Sequence, residues 1–221
     1  PDAYLNYSNL YGSTTTALPL TLGWASDQRD SALVPTRGRF QRVYADYSVA
    51  GDARYYRLNY QVQQYFPLTK KYTLAFNSDL GYGAGASGKP YPIFKNYYVG
   101  GLGSVRGFMQ GTLGNSRASS AINSYPVYLG GTKKVVLNGE FVGPFPGAGN
   151  DKTLRMFAFV DAGYAYGEND PIRLSELRSY MGFGLSWISP MGPLKFSYGV
   201  PIKRRTDDRI QKLQFQIGTS F

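Results

Sequence analysis

Strict two-residue alternation, sustained over runs of about ten to fourteen residues, constrains this chain more than any other feature, because it describes strands lying between two different media. In the last run Leu213, Phe215, Ile217, Thr219 and Phe221 fall on one face, and Lys212, Gln214, Gln216, Gly218 and Ser220 on the other. The run before it sets Leu194, Phe196, Tyr198 and Val200 against Lys195, Ser197 and Gly199. Earlier still, Met181, Phe183, Leu185 and Trp187 oppose Tyr180, Gly182, Gly184 and Ser186. A soluble sandwich alternates in the same way. Length separates the two cases, since soluble strands cluster near five or six residues whereas lipid-spanning ones need about nine to eleven.

The pattern predicts strands at 17–29, 38–50, 54–67, 71–84, 133–145, 153–166, 178–188, 193–201 and 209–221. Each has an apolar or aromatic face. Opposite faces carry Arg57, Asn59, Gln61 and Gln63, or Asn77 and Asp79, which suit a wet lumen. The fold class read from this is all-β: a transmembrane antiparallel β-barrel, with residues 1–221 forming a single barrel domain. Twenty Tyr and 13 Phe can furnish interfacial girdles, and 27 Gly and 13 Pro can furnish turns. Mean hydropathy stays negative, at -0.31, as it must when only one strand face meets lipid.

The chain has no cysteine and no histidine, so thiolate and imidazole chemistry, including the commonest metal ligands, is missing. No catalytic residue, metal or cofactor is expected. The formal net charge of +10 is spread over loops and lumen faces, so nucleic acid is not an expected partner. Its tightest cluster, Lys203-Arg204-Arg205, reads either as a solvated loop or as a contact for lipid phosphates. A lumen pair of carboxylates could suggest glycoside hydrolysis, but no cleft is indicated. Pro1 is not an initiator residue, so the chain is read as a piece of something longer.

Counting connections back from Phe221 places 203–208 and 167–177 outside, and 189–192 and 143–152 at the periplasmic rim. Segment 85–132 is then extracellular and too long for a hairpin loop, which marks it as functional or disordered. It contains Tyr97-Tyr98-Val99-Gly100-Gly101-Leu102-Gly103-Ser104-Val105-Arg106-Gly107-Phe108. As a dinucleotide fingerprint this fails, because Arg106 stands where the third glycine should be.

That segment resembles loop six of the BamA family of outer-membrane assembly factors, whose Val-Arg-Gly-Phe tip folds back into the barrel. The likeness continues through Asn138-Gly139-Glu140-Phe141, Phe159-Val160-Asp161-Ala162-Gly163, Trp187-Ile188-Ser189-Pro190-Met191-Gly192-Pro193-Leu194 and Phe215-Gln216-Ile217-Gly218. These resemble, in order, the last eight or nine strands of a sixteen-stranded barrel. The first half of such a barrel and its periplasmic POTRA domains have no counterpart in this sequence.

Parity adds an independent inference. In 133–145, Val135, Leu137, Gly139 and Phe141 share one face, which turns Asn138 and Glu140 into the lumen; in 153–166, Leu154, Met156, Ala158, Val160 and Tyr164 face lipid and Arg155 and Asp161 face inward. Two neighbouring strands thus offer carboxylates to one enclosed space. The resemblance implies that Arg106 is their partner, so that Val105, Arg106, Gly107 and Phe108 form the loop tip and Glu140 and Asp161 hold it.

The resemblance further implies a factor that folds and inserts other outer-membrane proteins through a seam at the last strand, in the bacterial outer membrane. The gate strand and sorting signal would be Leu213, Phe215, Ile217, Gly218 and Phe221, with Gly218 a weak point in the strand interior. Implied partners are unfolded outer-membrane proteins, accessory lipoproteins reached through periplasmic domains, and membrane lipids including lipopolysaccharide. Two alternatives remain at this stage: a two-partner secretion pore and a passive porin-like barrel. Strand number is also open. Nine up-and-down strands would force a parallel seam on closure, so either 17–29 is set aside and eight strands close alone or with a second copy, or missing strands complete the barrel.

The orientation is testable on intact cells. Single cysteines introduced at 167–177 and 203–208 are expected to react with an impermeant label, and those at 189–192 to stay silent; reaction at Ser189 from outside would reverse the topology.

Overall fold

The structure, a computed structural model, describes residues 8–9, 12, 14–118, 126–148, 153–190 and 192–218. Nine strands form one antiparallel sheet in the order β1-β2-β3-β4-β7-β8-β9-β10-β11, and β5 pairs with β6 apart from it. The strands are β1 (Ala17–Asp27), β2 (Gly38–Gly51), β3 (Tyr55–Pro67), β4 (Thr73–Gly85), β5 (Asn115–Ala118) and β6 (Pro126–Gly130), followed by β7 (Lys133–Pro144), β8 (Leu154–Tyr166), β9 (Arg178–Ser189), β10 (Gly192–Lys203) and β11 (Leu213–Ile217). Every pairing in the large sheet joins strands consecutive along the chain except β4 with β7, which brackets the long loop.

The alternation is realised as two surfaces. One carries Leu22, Leu58, Phe76, Phe141, Val160 and Phe183, all exposed, in the band that lipid covers. Rings on this face pack across strands, with Phe196 and Phe215 at 4.5 Å between centroids and Tyr72 stacked on Phe141 at 5.4 Å. The other surface holds a polar row from β3 to β7. There Gln61 Nε2 donates to Asn77 Oδ1 at 3.4 Å, and Asn77 Nδ2 donates to Asn138 Oδ1 at 2.8 Å. The core lies on this second side, where Val99, Val105, Phe108 and Leu113 of the long loop pack against Val136, Phe157, Phe159 and Tyr180 of the wall.

Three sequence expectations need correction. Among the described residues, the strand predicted at 209–221 begins only at Leu213, as β11 (Leu213–Ile217), because residues 209–211 turn away to meet the long loop; Thr219 and Phe221 lie outside the described residues. Gly218 is not in a strand interior: it follows β11 with φ +93° and donates its N–H to the Pro193 carbonyl at 2.8 Å. Glycine enters that left-handed region without a Cβ penalty. Tyr164, assigned to lipid, is instead buried, with the Arg178 guanidinium 4.6 Å above its ring, because the outer end of β8 rises into the loops and is covered on both faces. The strand predicted at 17–29 is present, since β1 pairs with β2 from Ala17 to Asp27, which removes the alternative in which it was set aside; among the described residues, β1 and β11 each pair on one side only.

If the first surface faces lipid, Val160→Arg at the centre of β8 should destabilise the protein in bilayers by about 2–4 kcal/mol. Equilibrium unfolding in lipid vesicles measures this. A change below about 0.5 kcal/mol would mean that the face meets water.

Candidate functional site: the loop tip inside the sheet

The long loop enters the sheet as a narrow double-backed segment. Tyr97 exchanges backbone bonds with Gly131 at 2.7 and 2.9 Å, Leu113 N–H donates to the Val99 carbonyl at 2.9 Å, and Ala165 N–H of β8 donates to the Leu113 carbonyl at 3.2 Å. Below these rungs the chain reverses through Gly101–Val105, where Gly101 N–H reaches the Val105 carbonyl at 3.0 Å. Asn138 Nδ2 of β7 donates to the Ser104 carbonyl at 2.7 Å, which ties the polar row to the reversal. Tyr97 plugs the space above: its hydroxyl donates to the Leu58 carbonyl at 3.1 Å, and the Arg57 guanidinium lies 4.3 Å from its ring.

At the tip, Arg106 lies almost wholly out of solvent between β7 and β8. Its Nε donates to Asp161 Oδ2 at 2.6 Å and its Nη2 to Asp161 Oδ1 at 2.7 Å, a two-point fork. Nη1 bonds Glu140 Oε1, and Lys195 Nζ of β10 stands 3.8 Å from the same oxygen. The backbone N–H of Arg106 also donates to Asp161 Oδ2, at 3.0 Å. The Phe159 ring lies beneath the guanidinium, 3.9 Å from centroid to Cζ, so the flat face that makes no hydrogen bonds is stacked rather than wet. Burial pulls the guanidinium toward losing its proton; the field of Glu140 and the hydrogen bond to Asp161 more than offset this, so Arg106 holds its charge more firmly than a free arginine.

The neighbouring tip residues are fixed by packing. Val105 and Phe108 are fully buried, and the Phe108 ring meets Tyr180 edge-on at 5.7 Å. Gly107 has φ +79°, and a Cβ there would lie within the Tyr180 ring, so conformation and space both demand glycine. Tyr180 is itself anchored, donating its hydroxyl to the Gly199 carbonyl at 2.6 Å. Side chains at Gly182 and Gly184 would strike the Phe159 and Phe157 rings, and one at Gly199 would strike Tyr180. The inward faces of β9 and β10 are therefore bare where the rings lie.

The structure thus brings together Val105, Arg106, Gly107, Phe108, Glu140 and Asp161. Leu213, Phe215 and Ile217 sit on the outward face of β11, exposed, and Gln214 turns in toward the tip. Gly218 lies beyond the strand and Phe221 outside the described residues. Sequence reasoning missed Phe159 and Tyr180 as the floor of the tip, Lys195 beside Glu140, and Gln214. A readable signal existed for the first two: glycines at 182, 184 and 199 on inward positions imply large rings lying across them. Among the described residues no group of acidic side chains is arranged to hold a metal ion.

Residues 1–221 match the Omp85 superfamily domain. The chain is 36% identical, over 91% of its length, to the outer membrane protein assembly factor BamA of Neisseria meningitidis, of which it spans 28%. It is 25% identical to the assembly factor BamA of Nitratidesulfovibrio vulgaris, covering 88% of this chain and 24% of that protein. Among solved structures, the crystal structure of BamA from Haemophilus ducreyi lacking POTRA domains 1–3 superimposes with a TM-score of 0.81 at 29% identity, covering 89% of this chain and 41% of that one. The chain therefore spans about a quarter of the length of these curated relatives.

Charge exchange tests the tip. Arg106→Glu deprives the buried Asp161 of its guanidinium, leaves Glu140 only Lys195 and adds a third carboxylate, so it should release the loop at a cost of about 3–5 kcal/mol. Protease protection of 97–113 in the membrane-embedded protein reads the release. Adding Asp161→Arg should restore protection in part, because the bond from the Arg106 amide to Oδ2 is not replaced. Full protection in the single variant would show that the pair does not hold the loop.

Proposed function

This chain belongs to the Omp85 superfamily, and on that premise we propose that it supplies the C-terminal part of a barrel that folds and inserts other outer-membrane proteins. Its place is the bacterial outer membrane, as part of an integral β-barrel. The substrates are unfolded outer-membrane proteins. Accessory lipoproteins engage periplasmic domains elsewhere in the polypeptide, and the exposed band of the sheet meets lipids, including lipopolysaccharide on the outer side. Self-association of this part through its two edges is the competing fate of the unpaired strands.

One observation carries the reading: the last strand is the least secured element of the sheet. Among the described residues β11 meets β10 from Leu213 to Ile217, whereas β9 meets β10 from Ser189 to Ser179. The other edge of β11 is unpaired among the described residues. An edge strand with free N–H and C=O groups accepts an incoming strand by β-augmentation, the step an insertase needs, and main-chain hydrogen bonding supplies the energy without covalent chemistry. The wall that carries Glu140 and Asp161, β7 and β8, stays paired on both sides while the edge exchanges. Both features suit assembly better than passive diffusion, for which neither is required.

The test uses the full-length protein in proteoliposomes with a urea-denatured outer-membrane barrel as substrate. It is expected to raise the folding rate of the substrate, with the product embedded in the bilayer, and Arg106→Ala should lower that rate about tenfold, the effect of roughly 1.4 kcal/mol. Substrate recovered in the vesicle interior would identify an export pore instead, and no acceleration by a correctly folded barrel would overturn the proposal.

A further inference from the structure

We propose that Gln214 is a positioning residue that couples the loop tip to the last strand, so that the two are held and released together. Gln214 is buried at 3% exposure in a strand whose neighbours Leu213 and Phe215 face outward. Its side-chain oxygen accepts the Gly107 N–H at 2.9 Å and its side-chain nitrogen donates to the Phe108 carbonyl at 2.9 Å. One amide thereby meets a donor and an acceptor of adjacent residues, as a neighbouring strand would. No other amide side chain on β11 can do this, since Gln216 turns back to the Gly218 carbonyl at 3.5 Å.

The chain just before β11 completes the contact through its backbone. Met109 N–H donates to the Arg209 carbonyl at 2.9 Å, Gln211 N–H donates to the Gly107 carbonyl at 2.8 Å, and Phe108 forms an antiparallel bridge with Ile210. Over 209–212, where β10 provides only the 3.3 Å bond from Gly199 N–H to the Lys212 carbonyl, the loop tip takes the place of a strand partner. The approach to this segment is fixed from the other side by the buried pair of Arg178 and Asp208, with Nε to Oδ2 at 3.0 Å. Arg106 anchors the tip to β7 and β8, and Gln214 transmits that anchorage to β11. Buried polar groups on both partners make separation costly for each: a Gln214 that swings out leaves the Gly107 N–H and the Phe108 carbonyl without partners. Every bond invoked is internal to the chain, so the coupling stands whatever the barrel transports.

Residue-resolved amide hydrogen exchange on the full-length protein in lipid bilayers tests this. Gln214→Leu is expected to raise exchange about tenfold not only at Gly107, which loses its acceptor, but at Met109 and Gln211, whose own acceptors are untouched. Reciprocity adds a requirement that a merely local packing role would not meet: Arg106→Ala must raise exchange at Gln211 and across 213–217, and in the double variant the two effects must fall short of their product. Should Gln214→Leu loosen β2 to β4 as well, Gln214→Glu decides on exchange at Met109 and Gln211 alone, since it keeps an acceptor for Gly107 and replaces the donor to Phe108 with a carboxylate oxygen. Acceleration confined to Gly107, or an Arg106→Ala protein with unchanged exchange at 211–217, would overturn the coupling.

Discussion

A guanidinium withdrawn from water must find its counter-charges inside the protein or not be there at all, and the interior of this sheet is arranged around that requirement. Arg106 reaches the lumen on a loop of nearly fifty residues, which must repay a large loss of conformational freedom to occupy one path. Asp161 meets it with both carboxylate oxygens and also takes its backbone N–H, while Glu140 takes the remaining guanidinium nitrogen. Neither acid is free to relax, because each sits on a strand paired on both sides. The pair is worth less as net stability than as a fixed address, since desolvating three charges opposes much of their attraction.

Everything near the tip follows from holding that address. The Phe159 ring covers the face of the guanidinium, Tyr180 underlies Gly107, and the glycines of β9 and β10 leave room for both rings. The polar row of Gln61, Asn77 and Asn138 passes across three strands and ends on the loop at the Ser104 carbonyl. On the far side the tip continues into the approach to β11. The loop is thus a strut across the concave face, with firm strands at one end and the weakest strand at the other. That asymmetry is what an edge able to exchange partners requires: the wall must stay rigid while one strand stays replaceable.

Much of this was legible before any coordinates, for definite reasons. Period-two patterning in β7 and β8 is long enough to fix parity, so Glu140 and Asp161 could be assigned inward from Leu137, Phe141, Met156 and Val160 alone. Patterning fails at strand ends, where the surroundings change. Tyr164 keeps the lipid-side parity but stands above the membrane band beneath Arg178, and the strand predicted from 209 begins only at Leu213. Periodicity describes which side a residue would face if the strand ran through it; at 209–211 the backbone pairs with the loop tip instead. Gln214 could not be singled out for a different reason, because its partners are backbone groups more than a hundred residues away, and backbone leaves no mark in a side-chain pattern.

Spin labels at Gln110, on the exposed flank of the tip, and at Ala158, on the outward face of β8, measure most directly whether the buried charges hold the loop within the sheet. In bilayers the unmodified loop should give one narrow distance distribution that does not change with ionic strength, because burial removes the pair from screening by salt, and Arg106→Ala should broaden it. A broad distribution with Arg106 intact, or a narrow one that survives Arg106→Ala, would contradict the account.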